Sequence, residues 1–149
     1  MKRLILNLLL IVPALGWGET FDEVVDFNIE LSSLSNSDVV SKVSEDGRVI
    51  ILEGLLTEIT IEEAGRETVL WITLIGGEWI GTSEVRAYSC RIKFIGDRWR
   101  EIFTEDAENN DSAEHITPGS RMLVAARVIG LNPEDLIAEL EMVDYRVLK

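Results

Sequence analysis

One cysteine, one histidine and three prolines are all that this chain of 149 residues contains of those types. The lone thiol, Cys90, cannot close an internal disulfide, so nothing in the fold relies on a covalent staple. A single histidine, His115, rules out a histidine cluster for zinc. Positive charge is scarce as well: 14 Lys and Arg stand against 27 Asp and Glu, a net charge of −13. A field of that sign repels polyanions at long range and disfavours both nucleic acid and anionic lipid surfaces. The glycines at 76, 77 and 81 are followed by no Lys-Ser or Lys-Thr pair, which excludes a phosphate loop. Catalytic spacing is missing too: carboxylates are abundant but unpatterned, and no cofactor or metal site is expected.

Long hydrophobic runs are also missing, with one exception. Met1-Lys2-Arg3 precedes an uncharged run from Leu4 to Leu15, followed by small residues at Ala14, Gly16 and Gly18 and then Glu19. A basic start, a short apolar stretch and small residues near a cut describe a secretory leader over residues 1–18. The run is shorter than the roughly 20 residues a spanning helix requires. The expected location is therefore periplasmic or secreted, with membrane contact only through an uncleaved leader. Without Lys2 and Arg3, residues 19–149 carry 12 Lys and Arg against 27 Asp and Glu, a net of −15. That length suits one domain with one core.

Residues 19–46 read as a helical or irregular N-terminal lead-in. Thr20 and Glu23 fit a capping box, Phe21, Val24, Val25 and Phe27 could form an apolar face, and a short amphipathic helix over 38–43 ends near Gly47. From Arg48 the apolar period becomes two, and five strands are predicted: Val49–Ile61, Thr68–Ile75, Arg86–Phe94, Met122–Gly130 and Leu136–Leu148. Gly54 interrupts the first, where a bulge or sharp bend is expected. Gly76 to Gly81 reads as a glycine-rich connection carrying Trp79. In the third strand Tyr88, Cys90, Ile92 and Phe94 face one way and Ser89, Arg91 and Lys93 the other, which makes Cys90 a small buried hydrophobe. Asp97 is placed to cap a short helix containing Trp99, Ile102 and Phe103.

Five strands, a bent glycine-containing first strand and a helical link between the third and fourth suit a small closed barrel, which removes free sheet edges. The run Gly47 to Ile59, the run Ser89 to Phe94, the run Pro118 to Gly130 and the last strand from Leu140 to Leu148 resemble the OB-fold family known as tRNA_anti-like. The resemblance covers about residues 47–149; residues 76–85 and 105–117 look inserted relative to it. It implies a mainly β chain: a five-stranded OB-type Greek-key barrel over 47–149 with a short helix between strands 3 and 4.

Charge distribution singles out one surface. Residues 86–100 hold Arg86, Arg91, Lys93, Arg98 and Arg100 against Asp97 alone. OB barrels bind across the exposed face of strands 2 and 3, which places Trp71, Thr73, Ser89, Arg91 and Lys93, with Arg86 nearby, as the candidate ligand site. An aromatic platform beside two cations can stack a base or hold an anion, although the same residues could pair across strands or pack under the lead-in. The acidic loop 105–114 fits a calcium loop poorly, because Asp111 stands where glycine is needed and Thr117 where a bidentate Glu is needed. Asn110-Asp111-Ser112 is a formal glycosylation sequon.

The expectation from sequence is an exported, non-enzymatic binding module that takes a protein partner or a small anionic ligand on this face. The alternatives are a subunit of an envelope or secretion assembly, using the lead-in or a strand edge, and a single-stranded nucleic-acid binder, disfavoured by net charge. No oligomeric state is specified.

Overall fold

The computed structural model describes residues 21–104 and 115–149. The leader at 1–18, the Thr20 half of the capping box, the acidic loop 105–114 and the sequon lie outside them. Among the described residues no helix is long and apolar enough to cross a membrane.

Helix α1 (Phe21–Val24) runs directly into β1 (Val25–Asp26), followed by a 3₁₀ helix over Leu31–Ser35 and α2 (Ser37–Asp46). Four strands of alternating apolar residues come next: β2 (Val49–Ala64), β3 (Glu67–Ile80), β4 (Glu84–Ile95) and, after the one-turn α3 (Trp99–Ile102), β5 (Arg121–Leu131); β6 (Ala138–Leu148) is last. Local chemistry fixes the limits of α2. Asn36 accepts the backbone N–H of Asp38 at 2.9 Å, and the chain leaves through a left-handed glycine at position 47.

Closure depends on the length of β2. Its first half pairs with β5 (Val49 opposite Arg127, Leu55 opposite Arg121), and its second half pairs with β3. The strand order β1-β2-β3-β4-β6-β5, closed by the β2–β5 pairing, is that of a five-stranded OB-type barrel with one additional short strand. β4 and β6 run parallel through Cys90 opposite Ala138 to Lys93 opposite Glu141. The bend does not occur at Gly54, as expected, but between Leu56 and Glu58, where the register slips. Gly54 serves another purpose. A Cβ there would lie 3.2 Å from both the Ile75 carbonyl oxygen and the Leu74 Cβ, so glycine lets the two strands approach more closely than a side chain would without a small shift of β3.

Inward side chains from β2 to β6 meet in one core, including Ile50, Leu56, Ile72, Ile92, Met122 and Leu140, all fully buried. Cys90 is among them as expected, and loss of water around its thiol pushes its pKa up to about 12. Phe94 closes one end of the barrel in edge contacts with Trp99, Phe103 and Tyr145 at 5.1, 5.0 and 5.9 Å. The N-terminal segment contributes Leu31, Leu34, Val40 and Val43 to the same core. β1 lies parallel on β2, with Val25 opposite Val49, while Phe27 faces solvent instead of completing an apolar helix face.

Three further expectations are corrected. Asp97 does not cap α3 with its side chain; its carboxylate accepts the hydroxyl of buried Thr68 and ties the helix entry to β3. The last strand begins at Ala138, because Leu136 takes a positive φ of 58° in the turn, with its side chain exposed. The segment Gly76–Gly81 is not a loop. β3 and β4 stay in register out to Ile80 opposite Glu84, and the turn is made at Gly81, where φ is 71°. The glycines do not break this strand because β4 pairs with it residue by residue.

Candidate functional site

The outer face of the barrel at β3 and β4 is built by two rows of opposed residues. One row runs Thr60, Trp71, Lys93, Glu141; the next runs Glu58, Thr73, Arg91, Glu139. Opposed residues on paired strands share a face, so Trp71, Thr73, Ser89, Arg91 and Lys93 do come together as the sequence pattern implies. Arg86 does not. It opposes Glu78 and lies an odd number of residues from Arg91, so alternation sends it to the other face of the ribbon.

The electrostatics of this face differ from expectation. A cleft of about 390 Å³ over it is lined by Glu58, Glu62 and Glu139 as well as Trp71, Thr73 and Arg91. The Trp71 indole N–H donates to Glu62 Oε2 at 3.2 Å, which pins the half-buried ring. Arg91 donates to Asp135 Oδ2 at 2.5 Å, so its charge is already matched by the turn before β6. Asn132, in the same turn, donates to Glu139 Oε1 at 2.8 Å. Among the described residues Lys93 has no ion-pair partner within 4 Å. A small anion placed here would meet the carboxylates of Glu58, Glu62 and Glu139, with Lys93 the one unmatched cation among the described residues of this face.

Sequence reasoning missed the carboxylates because their positions depend on pairings between strands far apart in the chain. It also missed Trp79, read as a loop residue. Register places Trp79 on β3 opposite Val85, on the same face as Trp71 and eight residues beyond it, with 70% of its surface exposed. Alternation of Trp71, Thr73, Ile75 and Trp79 across the glycines was the signal that could have found it. Among the described residues no group of three or more His, Cys, Asp or Glu side chains could hold a metal ion.

No protein-family model matches the chain, and no curated protein matches its sequence. Solved structures with a similar course of the backbone include the protein PriB from Ralstonia solanacearum, 8% identical, covering 68% of this chain and 97% of that one at a TM-score of 0.43. The single-stranded DNA binding protein from Thermus aquaticus is 15% identical and covers 68% of this chain and 49% of that one, also at 0.43. The Plasmodium falciparum SSB in complex with ssDNA is 14% identical and covers 68% and 94%, again at 0.43. Two of these three are single-stranded DNA binding proteins. The expected module for a protein partner or small anion is withdrawn on the acidic lining of the face and on the pairing of Arg91 with Asp135. Its nucleic-acid alternative is taken up below.

Proposed function

We propose that the outer face of the β3–β4 ribbon binds short single-stranded nucleic acid by stacking and catalyses no reaction. The observation that supports this reading is the placement of Trp71 and Trp79 on one face of one strand, with Lys93 opposite the first and Arg91 and Ser89 between them on β4. Eight residues of strand separate the two indoles by about 26 Å, a span that several unstacked nucleotides cover. Aromatic platforms are sequence-tolerant seats for bases because every base has a π-face. Glu58, Glu62 and Glu139 are suited to accept hydrogen bonds from base amino groups, as carboxylates do with cytosine N4.

This division of labour reconciles the site with a net charge of −13. Few phosphates are neutralised, so affinity comes from short-range contacts and long-range attraction contributes nothing. With Lys93 as the one unpaired cation among the described residues of the site, the salt slope is shallow, about −0.7 for each phosphate contacted on a single strand. The finer likeness of residues 47–59, 89–94 and 118–130 to tRNA_anti-like barrels belongs to the same reading.

Titration of the chain with an oligodeoxynucleotide, read by tryptophan fluorescence, tests it. Quenching is expected, and Trp71→Ala and Trp79→Ala should each weaken binding roughly 5- to 150-fold, the equivalent of about 1–3 kcal/mol per stacked base. Absence of quenching, or alanine variants that bind like the parent, would sink the reading.

A further inference from the structure

β4 is paired on one side along its whole length but on the other side only through Cys90–Lys93, where β6 lies parallel to it. Among the described residues no strand therefore lies beside the outer edge of Glu84–Ser89, and Glu84, Val85, Arg86 and Ala87 are all exposed. Open edges are normally blunted by charge. Here the charges follow a self-complementary order, Glu84-Val85-Arg86. Among the described residues Arg86 has no ion-pair partner within 4 Å, although it stands opposite Glu78 across the ribbon.

We propose that this edge pairs antiparallel with the same edge of a second copy of the chain, about a two-fold axis through Val85. In that register Glu84 faces the partner's Arg86, Arg86 faces the partner's Glu84, and Val85 faces the partner's Val85. The next register, centred on Arg86, sets two guanidiniums against each other and is excluded by repulsion. Two rows then run across four strands. On one face Trp79, Val85, the partner's Val85 and the partner's Trp79 form a continuous apolar strip, using two side chains that are 70% and 51% exposed in the single chain. On the other, Arg86 lies between Glu78 of its own ribbon and the partner's Glu84. An isologous contact of this kind closes on itself and does not propagate into a fibre. It also stabilises a two-stranded ribbon that is marginal by itself.

The proposal goes beyond the nucleic-acid reading and is tested separately from it, by self-association without nucleic acid and chiefly through charges on the ribbon face opposite the stacking surface. Sedimentation of the full chain over a concentration series should show a monomer–dimer equilibrium. Arg86→Glu and Glu84→Lys should each raise the dimer dissociation constant more than roughly tenfold, since each sets like charges across the axis twice. Mixing the two variants should restore pairing, because one copy then offers two carboxylates to the other's two cations. Val85→Lys, which sets lysine against the partner's lysine, should weaken the dimer independently, and circular-dichroism melts confirm that each variant is folded. A parent chain that is monomeric throughout, a dimer indifferent to all three changes, or variants that mixing does not rescue would overturn the proposal.

Discussion

Arg91 and Asp135 form an ion pair at 2.5 Å across 44 residues of sequence, fastening the turn between β5 and β6 onto the outer face of β4. Both side chains are about one-third exposed, so the pair contributes little to stability, within about 1 kcal/mol. Its effect is to neutralise the central cation of the candidate site.

Asp135→Asn should therefore leave the melting temperature almost unchanged while freeing Arg91 for a phosphate. The amide oxygen can still accept the Ile137 N–H, a bond of 3.1 Å in the parent, so the turn is preserved. Oligonucleotide binding should tighten and its salt slope should steepen by about 0.7. Unchanged affinity in a folded variant would show that no phosphate passes Arg91.

Leu34 of the 3₁₀ helix is 2% exposed and part of the main core. Leu34→Ala should cost about 2–5 kcal/mol, as deletions of buried leucine side chains do. Urea denaturation followed by fluorescence measures it. A loss below 1 kcal/mol would mean that the N-terminal segment only rests on the barrel.

Thr68 is buried, and its hydroxyl donates to the Asp97 carboxylate ahead of α3. Thr68→Val keeps the shape and removes the donor, with an expected cost of about 1.5–3 kcal/mol for a hydrogen bond to a charged group. Thermal melts compare the two chains. Asp97→Asn should cost less, because an amide oxygen can still accept the bond.

Burial raises the Cys90 thiol from 9.0 to about 12, so the folded state holds that proton more tightly than the unfolded chain does. The contribution is fully present below pH 9 and is lost as pH rises from about 9 to about 12, where only the unfolded chain has released the proton. Cys90→Ala should flatten that alkaline limb of the stability profile. In the parent, alkylation by a maleimide at neutral pH should proceed only as fast as the chain opens.

Much of the barrel could be read in the residues. The alternation of Tyr88, Cys90, Ile92 and Phe94 against Ser89, Arg91 and Lys93 placed β4 and its inward face, and Cys90 is buried as that pattern requires. The expected strand ends at Ile75 because a local rule treats paired glycines as a break; pairing with β4 carries it five residues further, to Ile80. Asp97 was assigned to the nearest helix because capping is a local pattern, whereas its partner, Thr68, lies 29 residues earlier.

Short-range pattern was enough for strand identity, the buried face of each strand and the apolar fate of the lone thiol. These follow from side-chain alternation along a single strand and require no partner. Tertiary structure alone decided the character of the surface. Whether Arg91 is a free cation depends on Asp135, and whether the face is basic or acidic depends on Glu58 and Glu139 arriving from β2 and β6. Charges interact through space and not along the chain, so a count of cations in residues 86–100 could not show which of them closure of the barrel would leave unmatched.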